Sequence, residues 1–222
     1  MFQSIYDTMI SGSRWVLMMR GLGITILIAV CAVLIGTVLG CIFALMKISG
    51  KKVLKAIADI YTTVIRGIPL ATQLMIFYFV VFAPLGLNRL LVAIIAYGIN
   101  SGAYCTEIFR AGIQSIDKGQ MEASRSLGLS YGVSMRKVIL PQAFRVMIPS
   151  IINQFIITLK DTSILSVIGY PELTNMGKTI SGNTFKSLQT WAIVGIMYMI
   201  VIVTLSKVAK NIERKIKIND QQ

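Results

Sequence analysis

DKGQMEASRSLGLSYGVSMRKVILP, running from Asp117 to Pro141, is a polar interruption in a chain that is otherwise strongly apolar. Asp117 stands three residues before Gln120, the spacing of an N-cap carboxylate and an N3 amide that satisfy the free N–H groups of a starting helix. Ile116 can staple onto Met121 across that cap. A helix is therefore expected to begin near Lys118 and to stop near Gly128, because glycine takes the left-handed conformation of a helix C-terminus without steric cost. Ser130 can cap a second helix that sets Tyr131, Met135, Val138 and Ile139 on one face and Ser134, Arg136 and Lys137 on the other. Pro141 marks its expected end, since the residue before a proline is pushed out of helical geometry. The stretch reads as a short helix–turn–helix hung between apolar segments.

The surroundings of this stretch name the solvent. With 222 residues, 55% hydrophobic content and 14% charge, the chain is not an ordinary soluble domain. A net charge of +13 could suggest nucleic acid, but a basic nucleic-acid binder does not carry uncharged apolar runs of membrane-crossing length. Topology accounts for the charge better. Fourteen of the 22 basic residues fall in three clusters: Lys47 to Lys55, Lys118 to Arg145, and Lys207 to Lys217. If all three lie in the cytoplasm, the positive-inside rule is met and the number of spans is odd. There is no histidine, which removes histidine triads, histidine metal sites and imidazole relays. Cys31, Cys41 and Cys105 lack metal-ligand or redox spacing and are expected to be small buried hydrophobes.

Taken in order, Gly21 to Leu45 is an uncharged run of 25 residues, enough to cross a hydrocarbon core of about 30 Å, and it reads as an uncleaved first span. Its Gly36 and Gly40 form a G-x-x-x-G that suits either packing within the chain or a dimer face. From Val53 to Ile68 the apolar residues recur at three- and four-residue steps, an amphipathic helix whose polar side carries Lys55, Asp59, Thr62, Thr63 and Arg66. That side suits a bundle surface or a water-facing wall. Gly67 and Pro69 predict a break or kink, after which the chain is apolar to Leu87 apart from Gln73. Leu90 to Cys105 reads as a third span, lightly polar at Asn100, Ser101 and Tyr104. Val146 to Ile168 is the fourth, Gly169 to Ser187 an external loop, and Leu188 to Ser206 the fifth. The expected fold is all-α and membrane-integral: five transmembrane helices in a single domain over residues 1–222, with the helix–turn–helix between the third and fourth.

An ionisable group inside a span costs roughly 2.5–3.5 kcal/mol to insert and is by default a functional candidate. Lys160 and Asp161 are the best placed. As neighbours they point to different sides of a helix and do not simply neutralise one another. Asp161 therefore needs another partner: a substrate ammonium, with Thr158, Thr162 and Ser163 adding hydrogen bonds, or a structural salt bridge to Arg66 or Arg110. A helix restarting at Pro69 would present free N–H groups and a positive dipole end to a carboxylate, unless the break is only a kink.

The order Glu122-Ala123-Ser124, three residues, Gly128, nine residues, Val138, one residue, Leu140-Pro141 closely resembles the EAA loop of ABC-importer permeases, written E-A-A-x3-G-x9-I-x-L-P. Ser124 and Val138 are conservative departures. In that family the loop docks into a cleft of a separate ATP-hydrolysing subunit. The resemblance implies that Glu122, Ala123 and Gly128 form the docking surface, within a coupling motif completed by Ser124, Leu140 and Pro141. Thr62 to Leu70 with Gln73, Ala103-Tyr104 through Glu107 to Ile113, and Leu159-Lys160-Asp161-Thr162-Ser163 are similar to segments of the polar amino-acid branch of the same permeases. Together these segments cover nearly the whole chain.

What the resemblance implies is import of a polar amino acid handed over by an external binding protein. Two permease subunits, identical or related, would be driven by a pair of ATP-binding cassette ATPases that hold ATP and Mg, with no cofactor on this chain. The setting is a bacterial-type plasma membrane, the N-terminus outside and the C-terminus cytoplasmic. Candidate substrate residues are Arg66, Gln73, Asn100, Tyr104, Thr158, Asp161 and Ser163. Glu107 and Asp161 tilt the choice towards basic amino acids, and the match covers glutamine and glutamate carriers as well. An ion-coupled secondary transporter or small channel using Lys160, Asp161 and Glu107 is the alternative. Gly177-Lys178-Thr179 is not a P-loop, since the position five residues before Gly177 is Glu172. No cluster of nucleophile, base and metal ligand marks an enzyme.

Overall fold

The computed structural model describes residues 11–219. Among these residues the regular structure is all helical. The main helices are α1 (Arg14–Ile48), α2 (Lys52–Gly67), α3 (Leu70–Val81), α4 (Arg89–Gln114), α5 (Lys118–Ser126), α6 (Tyr131–Ile168), α7 (Leu173–Thr184) and α8 (Ser187–Asn219). Four of them, α1, α4, α6 and α8, are long and apolar enough to cross a membrane, and α2 with α3 qualifies as one further bent pair. The bend between α2 and α3 is 104°.

The bundle is organised on a seam between α1 and α4. Gly36 lies against Ser101, Gly40 against Cys105, and Ala44 shares a core cluster with Phe109, so the two helices run parallel. A Cβ on Gly36 would sit 2.6 Å from Ser101 Oγ, and one on Gly40 would overlap Cys105. The G-x-x-x-G thus serves packing within the chain, where small residues let two backbones approach. Because α1 and α4 point the same way, α2 and α3 must return the chain to the other end of the bundle. Helix α6 is antiparallel to α4: Tyr97 Oη donates to the Asp161 carbonyl at 2.7 Å, and Gly112 lies beside Met147. The end of α1, the helix–turn–helix and the end of α4 therefore share one end of the bundle. At the opposite end α7 packs on α1 and α8 through Leu173, Ile180, Met18, Ile193 and Val194.

Helix α2 turns its apolar side outwards. Val53 and Ile60 are 72% and 64% exposed, whereas Ala58 and Thr62 on the polar side are buried. Large uncovered apolar faces of this kind belong to hydrocarbon surroundings rather than water. Of the two settings open to the polar side, a bundle surface or a wall, α2 uses both: Asp59 and Thr62 face Lys47 of α1, and Arg66 lines a cavity.

Several expectations change. The second helix of the polar stretch does not end at Pro141; it continues as α6 into the next apolar segment. Proline lacks an N–H and its ring presses on the carbonyl four residues back. The turn at Met135–Ile139 widens to accommodate it, with Leu140 N–H donating to the Met135 carbonyl. Asp117 caps α5 through Gly119 N–H at 2.7 Å, and Gln120 turns instead towards Gln142 at 3.5 Å, so the capping box is half made. The segment from Gly169 to Ser187 is mostly helix α7, not an irregular loop, because Leu173 and Ile180 give it an apolar stripe to bury. Cys105 is buried as expected, while Cys41 is exposed on α1.

Candidate solute site

The site begins with the break between α2 and α3. Ile68 and Pro69 are extended, at φ/ψ of −100°/133° and −56°/136°, so carbonyls near the end of α2 lose their helical partners. Gln73, 3% exposed, closes that deficit: its Nε2 donates to the Ile65 carbonyl and, at 2.7 Å, to the Ile68 carbonyl. Its Oε1 accepts from Asn100 Nδ2 at 3.1 Å. A buried polar group without partners is costly, and this one is fully engaged. The break is therefore a fixed shape, tied to α4 by one amide pair.

That shape leaves a cavity of about 520 Å³ between α2, α3, α4 and α6, lined by Arg66, the Gly67–Leu70 corner, Asn100, Tyr104, Gln154, Ile157 and Asp161. The size is that of a small-molecule site. Asp161 is half-buried; its backbone carbonyl is engaged by Tyr97, but its carboxylate has no ion pair or hydrogen bond among the described residues. Arg66 extends over the Tyr104 ring, with Cζ 5.2 Å from the ring centroid, and makes no ion pair to Asp161. Arg110 is held by Glu107, its Nε and Nη2 lying 2.9 and 2.8 Å from Oε2. Neither arginine that could have neutralised Asp161 does so.

Four of the seven candidate substrate residues, Arg66, Asn100, Tyr104 and Asp161, come together on this cavity. Gln73 stands behind its wall. Thr158 is buried with its hydroxyl 3.3 Å from Gln154 Nε2, and Ser163 is half-buried in the final turns of α6, off the lining. Gln154 was missed, although it lies seven residues before Asp161 and so on the same helical face. Glu107, a candidate for selecting basic solutes, is already neutralised by Lys47 at 2.6 Å as well as by Arg110. Lys47 also reaches Asp59 at 3.0 Å and Thr62 at 2.8 Å, joining α1, α2 and α4 at the end nearest the polar stretch.

In the polar stretch, Glu122, Ala123, Gly128 and Pro141 are exposed, Leu140 is half-buried and Ser124 is buried with its hydroxyl donating to the Met121 carbonyl at 2.9 Å. Gly128 has φ +83°, a conformation that L side chains rarely adopt. Leu127 at the apex is 83% exposed and Tyr131 54%, an apolar tip that the motif does not mark.

The chain thus combines a bundle of long apolar helices, a fixed helix break, a cavity lined by a carboxylate and a polar helical hairpin at one end. Residues 36–218 match the family described as binding-protein-dependent transport system inner membrane component, and the chain belongs to it as an amino-acid ABC transporter permease. It is 41% identical to the arginine transport system permease protein ArtQ of Bacillus subtilis (strain 168), over 91% of this chain and 93% of that protein. It is 38% identical to the glutamine transport system permease protein GlnP of Escherichia coli (strain K12), over 91% and 94%. Among solved structures, an amino acid ABC transporter crystallised with histidines superposes with a TM-score of 0.84 at 40% identity, over 90% of this chain and 94% of that one. The MetNI methionine ABC transporter in an inward-facing conformation shares the fold, with a TM-score of 0.79 at 18% identity over 93% and 99%.

Proposed function

We propose that this chain is the transmembrane subunit of an ATP-driven importer for an amino acid with a basic or amide side chain, and that Asp161 receives the solute's ammonium group. The observation that carries this reading is the Asp161 carboxylate, which lines a cavity and has no ion pair or hydrogen bond among the described residues. An ionised carboxylate kept away from water is costly unless paired, so the site is poised for a cation. The solute carboxylate lies towards Arg66 and the start of α3, whose first N–H groups have no helical acceptors. Arginine and glutamine permeases among the relatives agree with a basic or amide side chain.

Residues 1–222 act as one domain with five crossings, α2 and α3 together making the second. The N-terminus is outside and the C-terminus cytoplasmic. The basic clusters at Lys47–Lys55, Lys118–Arg145 and the tail then share the cytoplasmic side, as the positive-inside rule requires. The stretch from Asp117 to Pro141 is the coupling loop, presenting Glu122, Ala123, Leu127 and Gly128 to a separate ATPase that holds ATP and Mg. A second permease subunit and an external substrate-binding protein complete the assembly, and alternating access moves the solute past Asp161.

The test uses the assembled permease–ATPase complex in proteoliposomes with its binding protein. Asp161→Asn should weaken amino-acid binding about tenfold or more, the loss of one charge-assisted contact, while ATP hydrolysis persists. Gly128→Arg should keep binding in detergent but abolish ATP-driven uptake. Unchanged affinity in the first variant returns Asp161 to a structural role, and normal uptake in the second removes the coupling assignment.

A further inference from the structure

The 40 residues from Gly67 to Thr106 contain one charged side chain, Arg89. It opens α4 at the end of the bundle opposite the polar hairpin, where a helix apolar enough to cross the membrane begins. Three features disfavour a cation there. The N-terminus of a helix is the positive end of its dipole and suits an anion. With the N-terminus of the chain outside, as proposed, this end of α4 lies on the side where the positive-inside rule disfavours arginine. The connection that precedes it, Phe82 to Asn88, supplies no acidic residue. Arg89 is exposed and has no ion pair or hydrogen bond among the described residues.

Beside Arg89 is a hollow of about 340 Å³ whose lining includes Tyr78, Phe79, Phe82, Leu87 and Val92 with Arg89 itself. The backbone makes it: the last turns of α3, Ile76–Val81, are widened, and a tight turn at Ala83–Leu85 ends in Gly86 at φ +61°, so no regular helical face closes the corner. The Tyr78 and Phe79 rings meet edge to face with centroids 4.7 Å apart. Around the hollow the surface is apolar, with Phe79, Val80 and Leu85 59%, 66% and 65% exposed. Such a surface belongs against hydrocarbon, so the hollow opens towards the bilayer at the level where α4 enters it. Aromatic walls gain dispersion contacts from whatever fills the space between them, and the apolar group at hand there is an acyl chain.

We propose that Arg89 and this hollow form a binding site for an anionic phospholipid of the outer leaflet, its phosphate on the guanidinium at the head of α4 and one acyl chain against the aromatic walls. Arginine matches a phosphate with two parallel N–H···O bonds, and the helix end favours the same charge. A zwitterionic headgroup brings its own cation beside Arg89, so a headgroup without an amine is preferred. The inference rests on the proposed membrane setting of α4 and needs nothing of Asp161.

The test uses the full permease–ATPase complex in phosphatidylcholine nanodiscs holding a trace of phosphatidylglycerol with a photoactivatable acyl chain. After illumination, cross-linked peptides are mapped by mass spectrometry. The label should concentrate between Tyr78 and Val92. Unlabelled phosphatidylglycerol should displace it about tenfold better than additional phosphatidylcholine of the same chains, the effect of one charge-assisted contact. Arg89→Gln should bring the two competitors level, whereas Arg89→Lys, which keeps the charge, should retain part of the preference. Equal competition in the parent would reduce the hollow to ordinary lipid contact, and displacement by inorganic phosphate would make it a site for a free anion. No label in this segment, as when a second permease chain covers it, or an unchanged preference in Arg89→Gln, would equally overturn the proposal. Nanodiscs have no inner or outer side and no solute or ATP is added, so this result stands or falls apart from the orientation of the chain and from the transport reading.

Discussion

Helix α4 has two unlike sides. Ser101, Gly102 and Cys105 lie against α1 so closely that Gly36 and Gly40 leave no room for a methyl group, whereas Asn100 and Tyr104 look onto an open cavity of about 520 Å³. The same contrast separates two carboxylates. Glu172, fully buried at the start of α7, accepts from Thr174 N–H at 2.8 Å, Asn175 N–H at 2.6 Å and Tyr198 Oη at 3.1 Å. Asp161, half-buried, has nothing equivalent. Small residues close the bundle along the α1–α4 seam and hydrogen bonds satisfy the carboxylate of Glu172; the broken helix leaves the bundle open beside Asp161.

The strongest way to break this contrast is to fill the closed side. Gly40→Leu should cost at least about 3 kcal/mol, the upper end of overpacking penalties, because a Cβ there meets the Cys105 backbone at 2.8 Å and two helix backbones do not part locally. The expected result is loss of monodisperse protein in mild detergent. A well-behaved variant with an unchanged melting temperature would mean that the α1–α4 seam is looser than described.

Next is the wall of the open side. Gln73→Leu strands the Ile65 and Ile68 carbonyls and the Asn100 amide. Each buried group left unpaired costs about 1–3 kcal/mol. The variant should melt at lower temperature and also bind the amino acid more weakly, since the Gly67–Leu70 corner that lines the cavity loses its tie. Lowered stability with unaltered affinity would show that the break need not be held in this shape.

The smallest effect concerns Glu172 alone. Its burial pushes the carboxyl above the usual carboxylate range, against the opposing pull of the backbone N–H groups of Thr174 and Asn175. A carboxyl whose folded pKa is raised binds its proton more tightly in the folded state. Its contribution to stability is therefore greatest below the ordinary glutamate range of about 4.3 and declines as pH climbs through the raised value. Melting temperatures of the parent and of Glu172→Gln, compared at successive pH values, should differ by an amount that moves in the variant's favour as pH rises. A pH-independent difference would mean that the carboxyl is not shifted.

Much of this was legible in the chain. The apolar run of α1, the charge-free stretches of α4 and α8, the cap at Asp117, the turn at Gly128 and the isolated Asp161 are each set by local chemistry, and the structure places them accordingly. The continuation of α6 through Pro141 was not legible, because a proline signals a helix end unless a neighbouring turn widens, and that is decided by packing. Helix α7 was hidden by its glycines and polar residues, since only contact with α1 and α8 makes two apolar side chains sufficient.

Membrane solvent, the clustering of basic charge and the motif from Glu122 to Pro141 belong to the sequence by itself, because each depends on which residues occur and at what spacing. Which polar residues line the cavity is different in kind. Gln73 and Asn100 look alike as polar interruptions of apolar helices, yet Gln73 is spent on the helix break while Asn100 reaches the cavity as well. Arg66 and Arg110 are equally good partners on paper for Asp161. Only the tertiary structure sends Lys47 to Asp59 and Glu107, gives Arg110 to Glu107, lays Arg66 on Tyr104 and leaves Asp161 without an ion pair to either arginine. Pairing between helices depends on their relative position, and the sequence within any one helix does not contain it.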